Sequence, residues 1–273
     1  MTDFLGQIEI ELQAAFQSNT LLDKTGAHLC MAPHAKRVRP LLTSYFSEAL
    51  GLSVQQIIPI AIASELIHSA SLLHDDVIDH ADSRRGKPTV NHQWSNSVAV
   101  LSGNHLLSLA FEQLKDYPPS LTQEAISVVA QMTKAAILEL QMRDSLDFNI
   151  EDWRSMSVGK TGSLFAFCGT SVALLANNLE AAKAFKQCGH HIGQVFQLVD
   201  DLHDIEEDTQ NKEASYPLLM SMSGHPEPLS ACKAELKKQA QLAINALGPW
   251  SSTSGGENIS RWLNGLACYD SSF

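Results

Sequence analysis

Apolar residues recur at helical spacing along almost the whole chain. Phe4, Ile8, Leu12 and Phe16 fall four apart in the opening segment, which predicts an amphipathic helix. Similar runs cover 41–50, 57–78, 98–114, 124–142, 153–175, 181–205 and 228–247. Alternating, strand-like runs are scarce, and no Asn-Gly or Asp-Gly hairpin signal is present. Breaks are expected at Gly26, Gly51, Pro118-Pro119, Asn177-Asn178, 224–228 and 251–256. None reads as an interdomain linker. The pattern predicts one all-α domain over residues 1–273, a large helical bundle with a shortened C-terminal region. In that region 251–256 reads as a flexible loop ahead of a short helix near 259–266.

Two of the apolar runs end on aspartates. Asp75-Asp76-Val77-Ile78-Asp79 and Asp200-Asp201-Leu202-His203-Asp204 share one spacing. On a helix, i and i+4 share a face and i+3 is adjacent, so Asp75 with Asp79, and Asp201 with Asp204, can aim at one point. His68, Ser71, Asp75, Asp79 and Asp82 lie on one stripe, and Gln197, Asp201, Asp204 and Asp208 on another. A single such cluster is as readily a solvated helix end. Two at matched spacing suggest two helices that face each other across a cavity with hard cations between them, because carboxylates held this close repel one another. Mg²⁺ takes oxygen ligands and shares its shell with substrate phosphates.

Composition narrows the class. The 273 residues are 44% hydrophobic, enough for a large core. Nineteen basic against thirty acidic residues give a formal charge of -11, which argues against nucleic acid as a partner. The basic residues nevertheless cluster, as Lys36, Arg37 and Arg39 and as Arg84, Arg85 and Lys87, a grouping suited to a small polyanion. Five cysteines without framework spacing fit a reducing compartment, and no signal peptide is expected, so a cytoplasmic location is predicted. The apolar stretch 57–73 contains Pro59, Glu65 and His68 and reads as a core helix rather than a transmembrane segment.

Together these motifs resemble the trans-isoprenyl (polyprenyl) diphosphate synthases. Leu72 to Asp79 followed by Arg84-Arg85-Gly86-Lys87-Pro88-Thr89 is similar to their first aspartate-rich motif, and Phe196 to Asp201 to their second. Lys36-Arg37-Val38-Arg39-Pro40 resembles their amino-terminal basic motif, and Gly159-Lys160-Thr161-Gly162 their central Lys-Thr pair. The resemblance implies the isoprenoid synthase type of bundle with a central cavity, and a homodimer. It implies head-to-tail, Mg²⁺-dependent condensation of an allylic diphosphate with isopentenyl diphosphate, three ions being held with the bound diphosphate. By motif, Asp75, Asp76, Asp79, Asp200, Asp201 and Asp204 surround the metals. Arg84 and Lys160 face the allylic diphosphate. Lys36, Arg39, His68 and Arg85 form the isopentenyl diphosphate site. Thr161 and Gln197 line the cationic centre.

The pattern also departs from the family's. Pro33-His34-Ala35 stand where two glycines are usual, and Gly103-Asn104 where Gly-Asp is common. The segment after Asp204 is compressed, leaving Lys212 as the residue to replace a loop lysine that contacts the allylic diphosphate. Ala70 and Ser71, five and four positions before the first aspartate, are small where bulky residues floor the elongation pocket of short-chain relatives. A product of twenty carbons or more is therefore expected. Two other readings stand beside the enzyme: a noncatalytic or regulatory subunit of a two-component synthase, and a class I terpene cyclase. Two complete aspartate motifs weigh against the first, and the basic residues for a second diphosphate against the other.

Overall fold

The computed structural model describes residues 2–32, 35–145, 148–205 and 214–268. Helices account for nearly all of it, and the chain packs as two compact units, Met1–Ser44 with Leu52–Gln123, and Tyr45–Gly51 with Glu124–Phe273.

In the first unit, α1 (Thr2–Ala14) buries Phe4, Ile8 and Leu12, the stripe read from the sequence. Helix α2 (Leu21–Cys30) starts on a reciprocal capping box in which Thr20 and Asp23 satisfy each other's backbone N–H groups. Gly26, expected to break the chain, lies inside α2 instead. A Cβ there would stand 3.0 Å from Leu106 and Phe16, so the glycine serves close packing rather than a turn. After α3 (Val38–Leu50), Gly51 takes the left-handed conformation that ends a helix cleanly. The core helix α4 (Val54–Ile78) packs along α6 (Asn96–Gln113), with the single turn α5 (Val90–Gln93) between them in sequence. Gly103 of α6 makes room at this seam for the His74 ring, whose Nε2 would lie 2.2 Å from a Cβ there.

One feature ran against the sequence pattern. Ser83–Arg84 (β1) and Lys87–Pro88 (β2) form a minimal antiparallel hairpin. Its two central residues, Arg85 and Gly86, both have positive φ (53° and 74°), as the tightest hairpin turn requires. An arginine in that position escapes an Asn-Gly or Asp-Gly search.

Helix α7 (Pro119–Ser145) begins within Pro118-Pro119 as expected, and from Glu124 onward the chain belongs to the second unit. Next, α8 (Ile150–Ser157) runs through a π-helical turn, Val158–Gly162, into α9 (Ser163–Leu175). Helix α10 (Leu179–His203) lies against α9 through glycines: a Cβ on Gly193 would sit 2.1 Å from Gly162 Cα, and one on Gly189 2.3 Å from Ala166. Then come α11 (Tyr216–Met222), α12 (Pro228–Ala246), a 3₁₀ turn (Gly248–Ser252) and α13 (Ser254–Ala267). The stretch 251–256 is thus ordered rather than a loop. Thr253 caps α13 by accepting from Gly256 N, and Gly255 is needed because a Cβ would meet Tyr45 O at 2.0 Å.

Two segments, Val54–Ile78 and Ile150–Leu175, are long and apolar enough to cross a membrane. Their most apolar windows are 72% and 67% buried within the protein, the behaviour of core helices.

Candidate functional site

Helix α4 delivers its aspartates where the backbone dipole is least hospitable to them. Asp79 is the C-cap, bonded through its N–H to Asp75 O at 2.8 Å, at the negative end of the helix. The three carboxylates do not share one environment. Asp79 is exposed and Asp75 half-buried, whereas Asp76 is buried. Asp76 Oδ1 accepts from Arg84 Nε at 2.5 Å, while its Oδ2 is buried with no hydrogen-bond partner. Burial pushes the Asp76 carboxyl up from the usual carboxylate range, against the opposing pull of Arg84. The hairpin that carries Arg84 is tied back to the helix end. Asn91 Nδ2 donates to Asp76 O and Ala81 O, and Thr89 Oγ1 donates to Ala81 O at 2.6 Å.

The same unit gathers the basic residues. Burial, and then the positive charges of Arg39, Arg85, Arg84 and Arg37, hold the His68 imidazole well below its ordinary value, so the ring is neutral near pH 7. Arg37 is not available as an anion handle. Its guanidinium is buried, donating to Glu9 at 2.6 Å, to Glu65 at 2.7 Å and to Cys30 O at 2.8 Å. Burial alone would lower its pKa, but the two carboxylates outweigh it and raise it. Arg85 differs: its Nη1 is buried without a hydrogen-bond partner, and burial lowers its pKa. Arg39, Arg84 and Arg85 therefore gather around a neutral His68, a crowd of like charge that a polyanion relieves. Lys36, beside them in sequence, is exposed.

In the second unit, a cleft of about 120 Å³ is lined by Glu139, Arg143, Met156, Gln197, Asp200, Asp201, Asp204, Ala214 and Ser215. Asp204 is the C-cap of α10, its N–H bonded to Asp200 O at 2.9 Å, so this acidic end repeats the arrangement at α4. Again the second aspartate turns inward. Asp201 Oδ2 accepts from Trp153 Nε1 at 3.0 Å and from Tyr216 N at 2.7 Å, and Oδ1 accepts from Gln197 Nε2 at 2.9 Å. All three aspartates line the cleft, Asp200 and Asp204 with exposed carboxylates and Asp201 held by its buried donors. Lys160 and Thr161 sit on the π turn, where Ser163 N bonds to Val158 O, and Lys160 Nζ is paired with Glu139. Lys212 lies outside the described residues, as do Pro33, His34 and Asp208.

The sequence reading missed Glu139, Arg143 and Trp153. Glu139 and Arg143 stand one helical turn apart on α7, a face visible only once the cleft is known. Trp153 lies seven residues before Lys160, two turns along the same continuous rod.

The model of the polyprenyl synthetase family matches residues 19–228, a span that holds both aspartate motifs, the basic residues and the Lys-Thr turn. The chain belongs to the polyprenyl synthetase family. Component 2 of the heptaprenyl diphosphate synthase of Geobacillus stearothermophilus is 31% identical over 254 residues, covering 91% of this chain and 78% of that one. A (2E,6E)-farnesyl diphosphate synthase of Mycobacterium tuberculosis is 36% identical over 61% of this chain, a match that spans only 48% of that enzyme. Among solved structures, the geranylgeranyl pyrophosphate synthetase of the archaeon Geoglobus acetivorans superposes with a TM-score of 0.93 over 98% of this chain and 99% of that one, at 20% identity. That likeness establishes the all-α fold of the polyprenyl synthetases here.

Among the described residues no three His, Cys, Asp or Glu side chains converge as a preformed metal cluster. The donor set still fits Mg²⁺, which binds through few carboxylates and completes its shell with water and phosphate oxygens. The buried, unpartnered Oδ2 of Asp76 is an oxygen that a cation would satisfy.

Proposed function

We propose that this chain is a trans-prenyl diphosphate synthase, condensing an allylic diphosphate with isopentenyl diphosphate head to tail and releasing pyrophosphate. The observation that carries the reading is the group of Arg39, Arg84 and Arg85 around a neutral His68, on the same unit as Asp75 and Asp79. A terpene cyclase ionises one diphosphate and has no use for a basic site beyond it. A synthase has two diphosphates to hold.

In this reading Lys36, Arg39, His68 and Arg85 bind isopentenyl diphosphate. The guanidinium fork suits phosphate oxygens, and the neutral imidazole can donate an N–H. Arg84 and Lys160 hold the allylic diphosphate. Each is aimed by a carboxylate, Asp76 for the first and Glu139 for the second. Mg²⁺, held by Asp75, Asp76 and Asp79 and by Asp200 and Asp204, would supply the positive charge that stabilises the departing diphosphate. The allylic C–O bond breaks, the double bond of isopentenyl diphosphate forms the new C–C bond, and a proton leaves to the released pyrophosphate. Thr161 and Gln197 offer oxygens to the positive carbon. Ala70 and Ser71 on α4 present no bulky side chain to floor an elongation pocket, which supports a product of C20 or longer. The chain works as a homodimer in the cytoplasm, where its five cysteines, all free thiols, are at home.

The relative named as component 2 of a synthase favours one second reading, a chain that acts beside a different subunit. One experiment separates the two. The purified chain is given Mg²⁺, isopentenyl diphosphate and ten-, fifteen- or twenty-carbon primers. The expected result is a product of twenty carbons or more, abolished by EDTA. No product with any primer, restored by adding a partner subunit, would establish the second reading and overturn the first.

A further inference from the structure

Two donors that cannot reverse their role hold Asp201 Oδ2. Trp153 Nε1 and Tyr216 N can only donate, and both donate to Oδ2. Trp153 is fully buried and packs edge-on to the Tyr216 ring at 5.1 Å, so the donor on each side of Oδ2 is fixed by packing. Asp201 itself is 3% exposed. Its remaining oxygen, Oδ1, faces the Gln197 side chain at 2.9 Å. An ionised carboxylate only accepts, so Gln197 must turn its NH₂ towards Asp201. The amide carbonyl then points the other way. Gln197 lines the cleft with Asp200, Asp201 and Asp204; with its NH₂ committed to Asp201, the carbonyl oxygen is the end it has to offer there.

We propose that Asp201 is a positioning residue rather than a metal ligand, and that Trp153, Asp201 and Gln197 form a relay that sets the polarity of the Gln197 amide. The indole and the Tyr216 N–H lock the carboxylate. The carboxylate locks the amide. The amide presents a carbonyl dipole, negative end outward, to positive charge developing on the substrate. The proposal deepens the synthase reading and rests on it.

The test uses two ligands that do not react. One is 2-(dimethylamino)ethyl diphosphate, whose protonated nitrogen carries positive charge where the allylic cation would. The other is its uncharged isostere, 3-methylbutyl diphosphate. Calorimetric titration with Mg²⁺ gives the affinity ratio of the two for each protein. In Asp201→Asn, Trp153 and Tyr216 hold the new carbonyl in place of Oδ2, so the new NH₂ faces Gln197 and turns its amide over. The ratio should then fall by about tenfold or more, the worth of one hydrogen-bonding dipole on a charge, with the uncharged ligand's affinity and the Mg²⁺ midpoint of its binding unchanged. Gln197→Met, at a half-buried position that tolerates the change, should lower the ratio similarly. The double variant should lose no more than either single one, because both act through one amide. An unaltered ratio in Asp201→Asn, or a raised Mg²⁺ midpoint, overturns the relay. If the wild-type protein binds neither ligand, the synthase reading itself has failed.

Discussion

His68 shows what a single side chain contributes when its surroundings refuse it a charge. Unfolded, the ring takes a proton near pH 6.5, while folded it stays neutral to well below that value, through burial and the flanking arginines. Below pH 6.5 the unfolded chain therefore binds the additional proton, and stability declines as the pH drops. Replacing His68 by Gln removes this term. The loss of urea-unfolding free energy from about pH 7 to about pH 5.5 should be smaller in the variant. Identical slopes would show that the ring is charged in the folded protein. Asp76, whose carboxyl is shifted upward, is common to both proteins and cancels from the comparison. At this scale the sequence was informative about residue type and poor about partners. The aspartate motifs were legible because their members lie within one helical turn. Asp76 with Arg84 was within reach, eight residues apart, but Trp153 with Asp201 and Lys160 with Glu139 join different helices. Only packing brings those together, and packing decided which aspartate of each motif turned inward.

Elements were more legible than their seams. The helices ending at Ile78 and His203 were read almost to the residue, because long apolar runs with polar ends leave few alternatives. Glycines misled. Gly26 and the Gly255-Gly256 pair look like breakers in a string of letters, yet all lie in helices, Gly26 against the side chains of Leu106 and Phe16 and the pair against backbone too close for a Cβ. The α9–α10 seam offers the sharpest test. Gly193→Ala would place a methyl 2.1 Å from Gly162 Cα, against backbone that cannot step aside like a side-chain tip. A loss of about 1–3 kcal/mol in unfolding free energy is expected, read by urea titration. No change would mean that the two helices stand further apart than described. On α4, Ala70→Phe tests the path of the growing chain. The added ring, about one helical turn (~5.4 Å) before Asp75, should shorten the product, read by chromatography of the dephosphorylated alcohols. An unchanged length distribution would show that another helix sets the limit.

For the whole molecule the governing fact is charge placed against its neighbours. The chain carries a formal -11, and two helices each end on three aspartates at the pole where negative charge is least favoured. Folding tolerates this arrangement, and bound cations with a polyanion should reward it. Mg²⁺ together with inorganic pyrophosphate, at about a hundred times the dissociation constant, should add about 2.7 kcal/mol of stability, seen as a melting temperature raised by several degrees. EDTA should return it to the starting value. A melting temperature indifferent to the pair would remove the support for diphosphate binding.

The π turn at Val158–Gly162 has one further consequence. It is a helix wound with one residue too many, so everything before it is out of phase with everything after it by roughly 100°. Shortening the segment by a single residue would restore uniform winding and swing Lys160 away from Glu139. The rod stays irregular at the spot where its lysine must face a chosen direction, and evenness of winding gives way there to aim.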